Sequence, residues 1–324
     1  MRSLLIEAVL ASLLIVTGDT SAAPKGKTEL VQSIQDCRAA FLQLVRSGRC
    51  TLLVQHSSHQ RGKAEEVSKP HQIECIFSDD DVLYREFAAD QPPQLVQSTL
   101  KKGGKYVRYF AGHPSIKAAP AVTIMKPPSP RAWQVKLPEW SLQELLRIPE
   151  SDERVFFSYI RDSQLSRIEE DGQLIRVIMD EPVPVKASFM ERRTYTFDMS
   201  RGGMLVSFLH QQKRPQEDKE WDASEKWDQT WKDHNGVWLP NTRRSEVTVR
   251  LGGDVILHSL LSVELISCSL ERIPAEDLHP QKMNIPDGTA VQDEVIGITW
   301  RFFKGAADAL LDSDGRDSAK PSHK

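Results

Sequence analysis

Apolar and polar residues alternate with a period of two through most of this chain, and the clearest run lies between Arg192 and Leu251. Tyr195 and Phe197 fall on one face of a pleat and Thr194 and Thr196 on the other, which predicts a strand over Arg192–Phe197. Asp198 to Gly203 supplies turn chemistry, and Met204–Leu209 follows as a second strand. Gln211–Glu220 is charged, holds Pro215 and reads as an exposed loop. Asn235-Gly236 lies between two further strand-like runs, and a tight primed turn needs positive φ at both central residues, so it predicts a hairpin. Pro240 points to a bulge or an edge position. Val247, Val249 and Leu251 then share one face and Glu246, Thr248 and Arg250 the other, which predicts one dry and one wet face.

The same rhythm recurs elsewhere. Strands are predicted over Cys50–His56, His71–Phe77, Val82–Phe87, Gln94–Leu100, Lys105–Phe110, Arg154–Ile160, Leu165–Glu170, Leu174–Met179 and Val255–Cys268. A closing strand or packed tail is predicted over Asp293–Phe303. Turn residues separate these runs, as in an antiparallel meander. Pro274–Pro286 reads as a loop. Two segments break the rhythm. Over Lys27–Gly48, Leu30, Ile34, Cys37, Phe41, Leu44 and Val45 recur at helical spacing, and a helix with one apolar stripe must bury it, here against a curved sheet. Ala111–Pro138 carries Pro114, Pro120, Pro127, Pro128 and Pro130, which excludes a regular strand or helix there; Glu139–Arg147 is a short helix candidate. Ala111–Ser151 is therefore expected to be a crossover, or lid, that returns with a helix to the sheet's inner face. Residues 27–303 are expected to form a single β domain. Gly305–Lys324 is polar, rich in small residues and expected to be disordered.

Met1–Ala22 carries Arg2, an apolar run and small residues at its end, the pattern of a secretory signal cleaved after Ala22. That predicts a periplasmic or secreted protein. Past this segment, no apolar run is long enough to cross a bilayer. The chain has 324 residues, 40% hydrophobic and 27% charged, with a formal net charge of −3. This is the composition of a globular protein with no general attraction to nucleic acid. An oxidising compartment would permit disulfides among Cys37, Cys50, Cys75 and Cys268. If Gln60–Val67 is a loop, Cys50 lies opposite Cys75 across two strands, which makes these two the candidate pair; a plain apolar role for the cysteines remains the alternative.

Searching for chemistry yields little. The chain has no G-x-S-x-G, P-loop, G-x-G-x-x-G or H-E-x-x-H, so no catalytic residue and no cofactor is assigned. His71 and Cys75 would share a strand face, but no second ligand pair has metal-site spacing, so no metal is assigned either. Trp221, Trp227, Trp231 and Trp238 could stack on sugars or bases. However, Asp222, Glu225, Asp228 and Asp233 make this run acidic, which favours core packing over a nucleic-acid surface.

Four stretches carry a resemblance: Arg49 to Val54 after the first helix, Lys105 to Tyr109, Thr194 to Asp198 with Arg201 to Gly203, and Asn235 to Pro240. With the order of elements, they resemble the LolA-like (outer-membrane lipoprotein-sorting) superfamily, and the last two are similar to a pattern in secreted planctomycete-type proteins. The resemblance implies a mainly β (α+β) fold. Its sheet would be open, strongly curved and antiparallel, a half-barrel with an N-terminal helix and a crossover helix on the concave side. It also implies a soluble binding protein that holds a lipid, acyl chain or lipoprotein in the hollow; because no nucleophile–base or metal set is visible in the sequence, the chain is read as not an enzyme. An enzyme of violacein synthesis is similar in fold, so fold alone excludes neither class. The alternative to a carrier is a scaffold domain with a fully packed core that meets an envelope protein.

Overall fold

A computed structural model describes residues 26–88, 93–112, 119–125, 142–148, 153–182, 189–213, 221–251 and 254–311. The expected signal segment Met1–Ala22, most of the proline-rich crossover, residues 214–220 of the expected loop and residues 312–324 of the expected tail lie outside them.

The described strands form one sixteen-stranded sheet. In chain order they are β1 (Ser47–Gln60), β2 (Glu66–Val67), β3 (His71–Ser78), β4 (Asp81–Ala88), β5 (Gln94–Lys102), β6 (Lys105–Phe110) and β7 (Ala121–Met125). Then come β8 (Ser166–Asp171), β9 (Leu174–Pro182), β10 (Met190–Asp198), β11 (Met204–Lys213), β12 (Asp222–His234), β13 (Val237–Leu251), β14 (Asp254–Ser269), β15 (Ala290–Asp293) and β16 (Ile298–Arg301). Their spatial order is β16-β15-β7-β6-β5-β4-β3-β1-β14-β13-β12-β11-β10-β9-β8, with β2 paired to β1, so the sheet stays open. Neighbours are antiparallel except β7 and β15, which run parallel. The β12–β13 hairpin turns at Asn235-Gly236, both with positive φ, as the sequence requires.

Among the described residues, three helices sit on the concave face: α1 (Lys27–Leu44), α2 (Leu142–Leu146) and α3 (Glu153–Asp162). The α1 stripe Leu30, Val31, Ile34 and Phe41 is buried. Its first turn is closed by the Gly26 amide donating to Glu29 Oε2 at 3.1 Å. The β10–β11 turn makes room for α1. Gly203 has φ +65°, and a Cβ there would stand 3.1 Å from the Ile34 carbonyl oxygen and from Cys37 Cβ. No residue but glycine serves both needs.

The core divides in three. In the centre of the concave face, Phe41 and Val45 of α1 and Leu142, Leu145 and Leu146 of α2 cover Leu52, Val54, Cys75, Val263 and Leu265. Beside it, Leu30, Val31 and Ile34 of α1 and Phe156, Phe157 and Ile160 of α3 cover Val177, Tyr195, Phe197, Phe208 and Trp227. The third core lies on the opposite face of β3–β7. There Ile76, Leu83, Leu100, Val107 and Ile124 are covered by Ile273, Leu278, Met283, Ile285, Phe302 and Leu310 from the C-terminal segment.

The structure corrects several expectations. Arg154–Ile160 belongs to α3, not to a strand: Phe156, Phe157 and Ile160 bury themselves at helical spacing. Ala121–Met125 is a strand even though it follows Pro120, because the proline ends outside the ladder. Pro274–Pro286 contains short 3₁₀ turns at Ala275–Asp277 and Pro280–Met283. Asp293–Phe303 contains the β15–β16 turn rather than one strand. Within the expected disordered tail, Lys304–Leu310 forms a 3₁₀ segment that buries Ala307 and Leu310. Val247 and Val249 are 37% and 40% exposed, so their face is not dry.

Candidate functional site

The exposed valines mark where the helices stop covering the sheet. In β1, buried and half-buried residues alternate only as far as Val54. β1, β13 and β14 run on past that point. Strand register places Val54, His56, Ser58 and Gln60 on the concave face, beside Val263, Leu261, Ser259 and Leu257 of β14. The neighbouring β13 residues are Arg243, Ser245, Val247 and Val249. Val247, Val249, Leu257 and Leu261 thus form an apolar strip continuous with the central core and open to solvent at its far end. Solvent-facing aliphatic side chains in one strip mark a surface that gains from being covered.

At the inner end of the strip lies Gln229 of β12, between the two concave cores and opposite Arg243. It is 6% exposed. Among the described residues, neither end of its carboxamide has a hydrogen-bond partner. The Trp227 indole N–H, one turn of the pleat away, is likewise buried and unpartnered. Leaving such groups unsatisfied costs free energy on the order of 1–3 kcal/mol each. They present two kinds of donor and one acceptor to whatever enters the hollow.

A polar cluster borders the strip on the α3 side. Arg193 lies 2.9 Å from Glu191 and 3.5 Å from Glu181, and His210 Nε2 lies 3.5 Å from Glu191. Tyr159 hydrogen-bonds Glu181, which pushes its phenol above the usual tyrosine range. Tyr159, Glu181, Arg193, Phe156 and Met179 line a cleft of about 200 Å³. Ser224 Oγ stands 3.1 Å from His210 Nδ1, which brings a serine, a histidine and a glutamate together. The serine hydroxyl also lies 3.2 Å from the His210 main-chain oxygen, so that carbonyl and the imidazole compete for its one proton. No local pattern signals this cluster, because its members come from α3 and four separate strands.

Among the described residues, Arg38 is the deepest charge in the hollow, 1% exposed. It pairs with Glu153 at the start of α3. It also donates from Nη2 to the Leu146 carbonyl oxygen at 3.0 Å, satisfying the end of α2, and approaches the Met204 sulfur at 3.8 Å. One side chain thereby ties α1, α2, α3 and β11 together.

The cysteine register is as the sequence predicts: Cys50 faces Cys75 directly across β1 and β3. The strand on the other side brings a residue that sequence reasoning missed, for Cys268 of β14 also faces Cys50. All four cysteines are thiols. His71 shares a strand face with Cys75, but among the described residues no group of three or more His, Cys, Asp or Glu is arranged to hold a metal ion. Of the tryptophans, Trp227 is buried against Phe208 and under the Arg243 guanidinium, whereas Trp238 is 40% exposed with Arg201 over its ring. No described helix is long and apolar enough to cross a membrane.

Fold and hollow together define an open, curved sheet wrapped on helices. The chain is similar to a LolA superfamily protein from Nitrosomonas europaea, with 10% identity over 76% of this chain and 96% of that one and a TM-score of 0.39. It is also similar to a DUF1329 family protein from Desulfovibrio piger, with 11% identity over 78% of this chain and 99% of that one and a TM-score of 0.43. No protein-family model and no curated protein sequence matches it. At one identical residue in ten the likeness concerns the course of the chain, and the reading below rests on this chain's own side chains.

Proposed function

We propose that the protein is an exported, non-enzymatic binding protein that holds an acyl chain or lipid on the concave face of its sheet. The observation that carries this is the open strip Val247, Val249, Leu257 and Leu261, which runs from solvent into the central core. An extended hydrocarbon laid along it would bury apolar surface on both partners, at roughly 25 cal/mol per Å². Gln229 and the Trp227 N–H at its inner end would receive an ester or carboxyl group, which exchanges unpaired polar atoms for hydrogen bonds.

The test is direct. Lipids extracted from protein purified from its native source should include a stoichiometric acyl species, and a fluorescent long-chain fatty acid should bind the delipidated protein. Val249→Asp should weaken that binding about tenfold or more, since it puts a charge in the path of the chain. Absence of binding by the wild type, or equal binding by Val249→Asp, would overturn the reading.

A second reading, a scaffold domain that meets an envelope protein, is favoured by a different place. Ile296, Ile298 and Phe303 are exposed around β16, which among the described residues is an edge of the sheet. Such an edge is a template for strand addition. Capture of a partner that is lost on Ile298→Lys would favour it.

A further inference from the structure

The cysteine row does something that neither reading uses. Cys75, Cys50 and Cys268 sit at directly opposed positions of three adjacent strands, so their side chains leave the same face in one line across the sheet. Adjacent strands stand about 4.8 Å apart, and a disulfide spans Cα atoms about 4.4–6.8 Å apart, so Cys50 can bond either neighbour but only one at a time. The Cys75 and Cys50 thiols are within hydrogen-bonding reach of each other. Burial separates the three: Cys75 and Cys50 are buried, while Cys268 is only partly covered. Cys37 lies off the line, on α1 against Gly203.

We propose that Cys268, Cys50 and Cys75 form a disulfide relay in which Cys268 is the entry thiol, Cys50 the shared centre and Cys75 the buried terminus. The oxidant is a small or protein disulfide. Cys268, as thiolate, attacks it; a mixed disulfide forms and one thiol of the oxidant leaves, taking up a proton. The Cys50 sulfur then attacks the Cys268 sulfur, forming Cys50–Cys268 and releasing the second thiol. Finally the Cys75 sulfur attacks Cys50 from the side opposite Cys268, forming Cys50–Cys75 and returning Cys268 to a thiol. In sum two protein thiols are oxidised and one external disulfide is reduced to two thiols. The straight row supplies the in-line approach that each exchange needs. Burial pushes the Cys75 thiol well above its usual value and the Cys268 thiol up to about 12, so the attacks by these two sulfurs are slow at neutral pH. The last bond is the most shielded, so the relay ends there.

The experiment follows oxidation of the reduced protein by oxidised glutathione at pH 8.5, with acid quenching, alkylation and peptide mapping by mass spectrometry. The expected sequence is a glutathione adduct on Cys268, then Cys50–Cys268, then Cys50–Cys75, with Cys37 outside any intramolecular bond. Cys268→Ser should reach the same final bond about tenfold more slowly, because the other two thiols of the row are buried. Cys75→Ser should stop at Cys50–Cys268. Should a serine variant lose its far-UV circular dichroism, the alanine variant replaces it, and the wild-type time course decides alone. Cys50–Cys75 appearing with no Cys268 adduct before it, an unchanged rate in Cys268→Ser, or no bond within the row would each overturn the relay.

Discussion

The Arg38 guanidinium donates to the main-chain oxygen of Leu146 at 3.0 Å, and through it the central helix of the hollow hangs on a residue more than a hundred positions away. The same guanidinium is paired with Glu153. Replacing it by Met keeps much of the volume but strands the Leu146 carbonyl and leaves Glu153 without its cation. Arg38→Met should therefore lower unfolding free energy by about 3 kcal/mol, read as a drop in the urea midpoint. Arg38→Lys should fall between the two, since a single ammonium cannot reach both acceptors as a planar fork does.

Gly203→Ala should cost about 2–3 kcal/mol, because it adds an unfavourable positive φ to a Cβ that meets the Ile34 carbonyl oxygen and Cys37. Gly236→Ala is the control. Its φ is also positive, at +86°, but nothing stands within 4 Å of the new Cβ, so the cost should be the backbone term of about 1 kcal/mol. Equal losses in the two variants would show that α1 does not press on the β10–β11 turn.

Trp227→Ala should destabilise the protein by about 3–5 kcal/mol, as expected for deleting a fully buried aromatic, whereas Trp238→Ala should stay within about 1 kcal/mol. Chemical denaturation of the two variants separates a core tryptophan from a rim one.

Gln229→Leu should raise stability by about 1 kcal/mol, since it removes a buried carboxamide with no partner among the described residues. If the hollow receives a ligand's polar end, the same variant should bind a fluorescent fatty acid more weakly. Stabilisation together with unchanged binding would remove Gln229 from the proposed site.

Asp180 accepts from Arg192 at 2.7 and 3.0 Å and from Arg167 at 3.2 Å, and the Arg192 hydrogen bonds hold its carboxyl below the ordinary value of 3.8. A carboxylate depressed on folding adds stability above its unfolded pKa and loses it as pH falls through the folded one. Asp180→Asn should therefore cost under about 1 kcal/mol at pH 7, given the partial exposure of the pair, and nothing measurable near pH 2.

Much of this was legible because strands announce themselves by alternation and turns by their residues. Asn235-Gly236 is a hairpin, and the Cys50–Cys75 register followed from the same faces that bury Leu52 and Ile73. Where reading failed, two signals overlapped. Val155, Phe157 and Tyr159 alternate as in a strand, yet Phe156, Phe157 and Ile160 form a helical stripe, and the concave surface selected the stripe. In β3 and β4 both faces are buried, as Ile76 beside Phe77 and Leu83 beside Tyr84 show, so alternation could not announce the third core. The open strip was invisible for the converse reason: Val247 and Val249 read as interior, and only the reach of the helices decides that they are not. The polar cluster and the Cys50–Cys268 neighbourhood depend on pairings far apart in the chain, which no local pattern encodes.

The strand that leads the sheet is also the one that must wait longest. β1 is joined on one side to β3 and on the other to β14, whose residues begin at Asp254. A nascent chain can zip β3 to β6 and β9 to β13 early, yet these two halves meet along β1 only after every strand up to β14 has been made. Until then the inward edge of each half is bare, so a stretch of synthesis passes in which the molecule is prone to self-association and depends on being shielded.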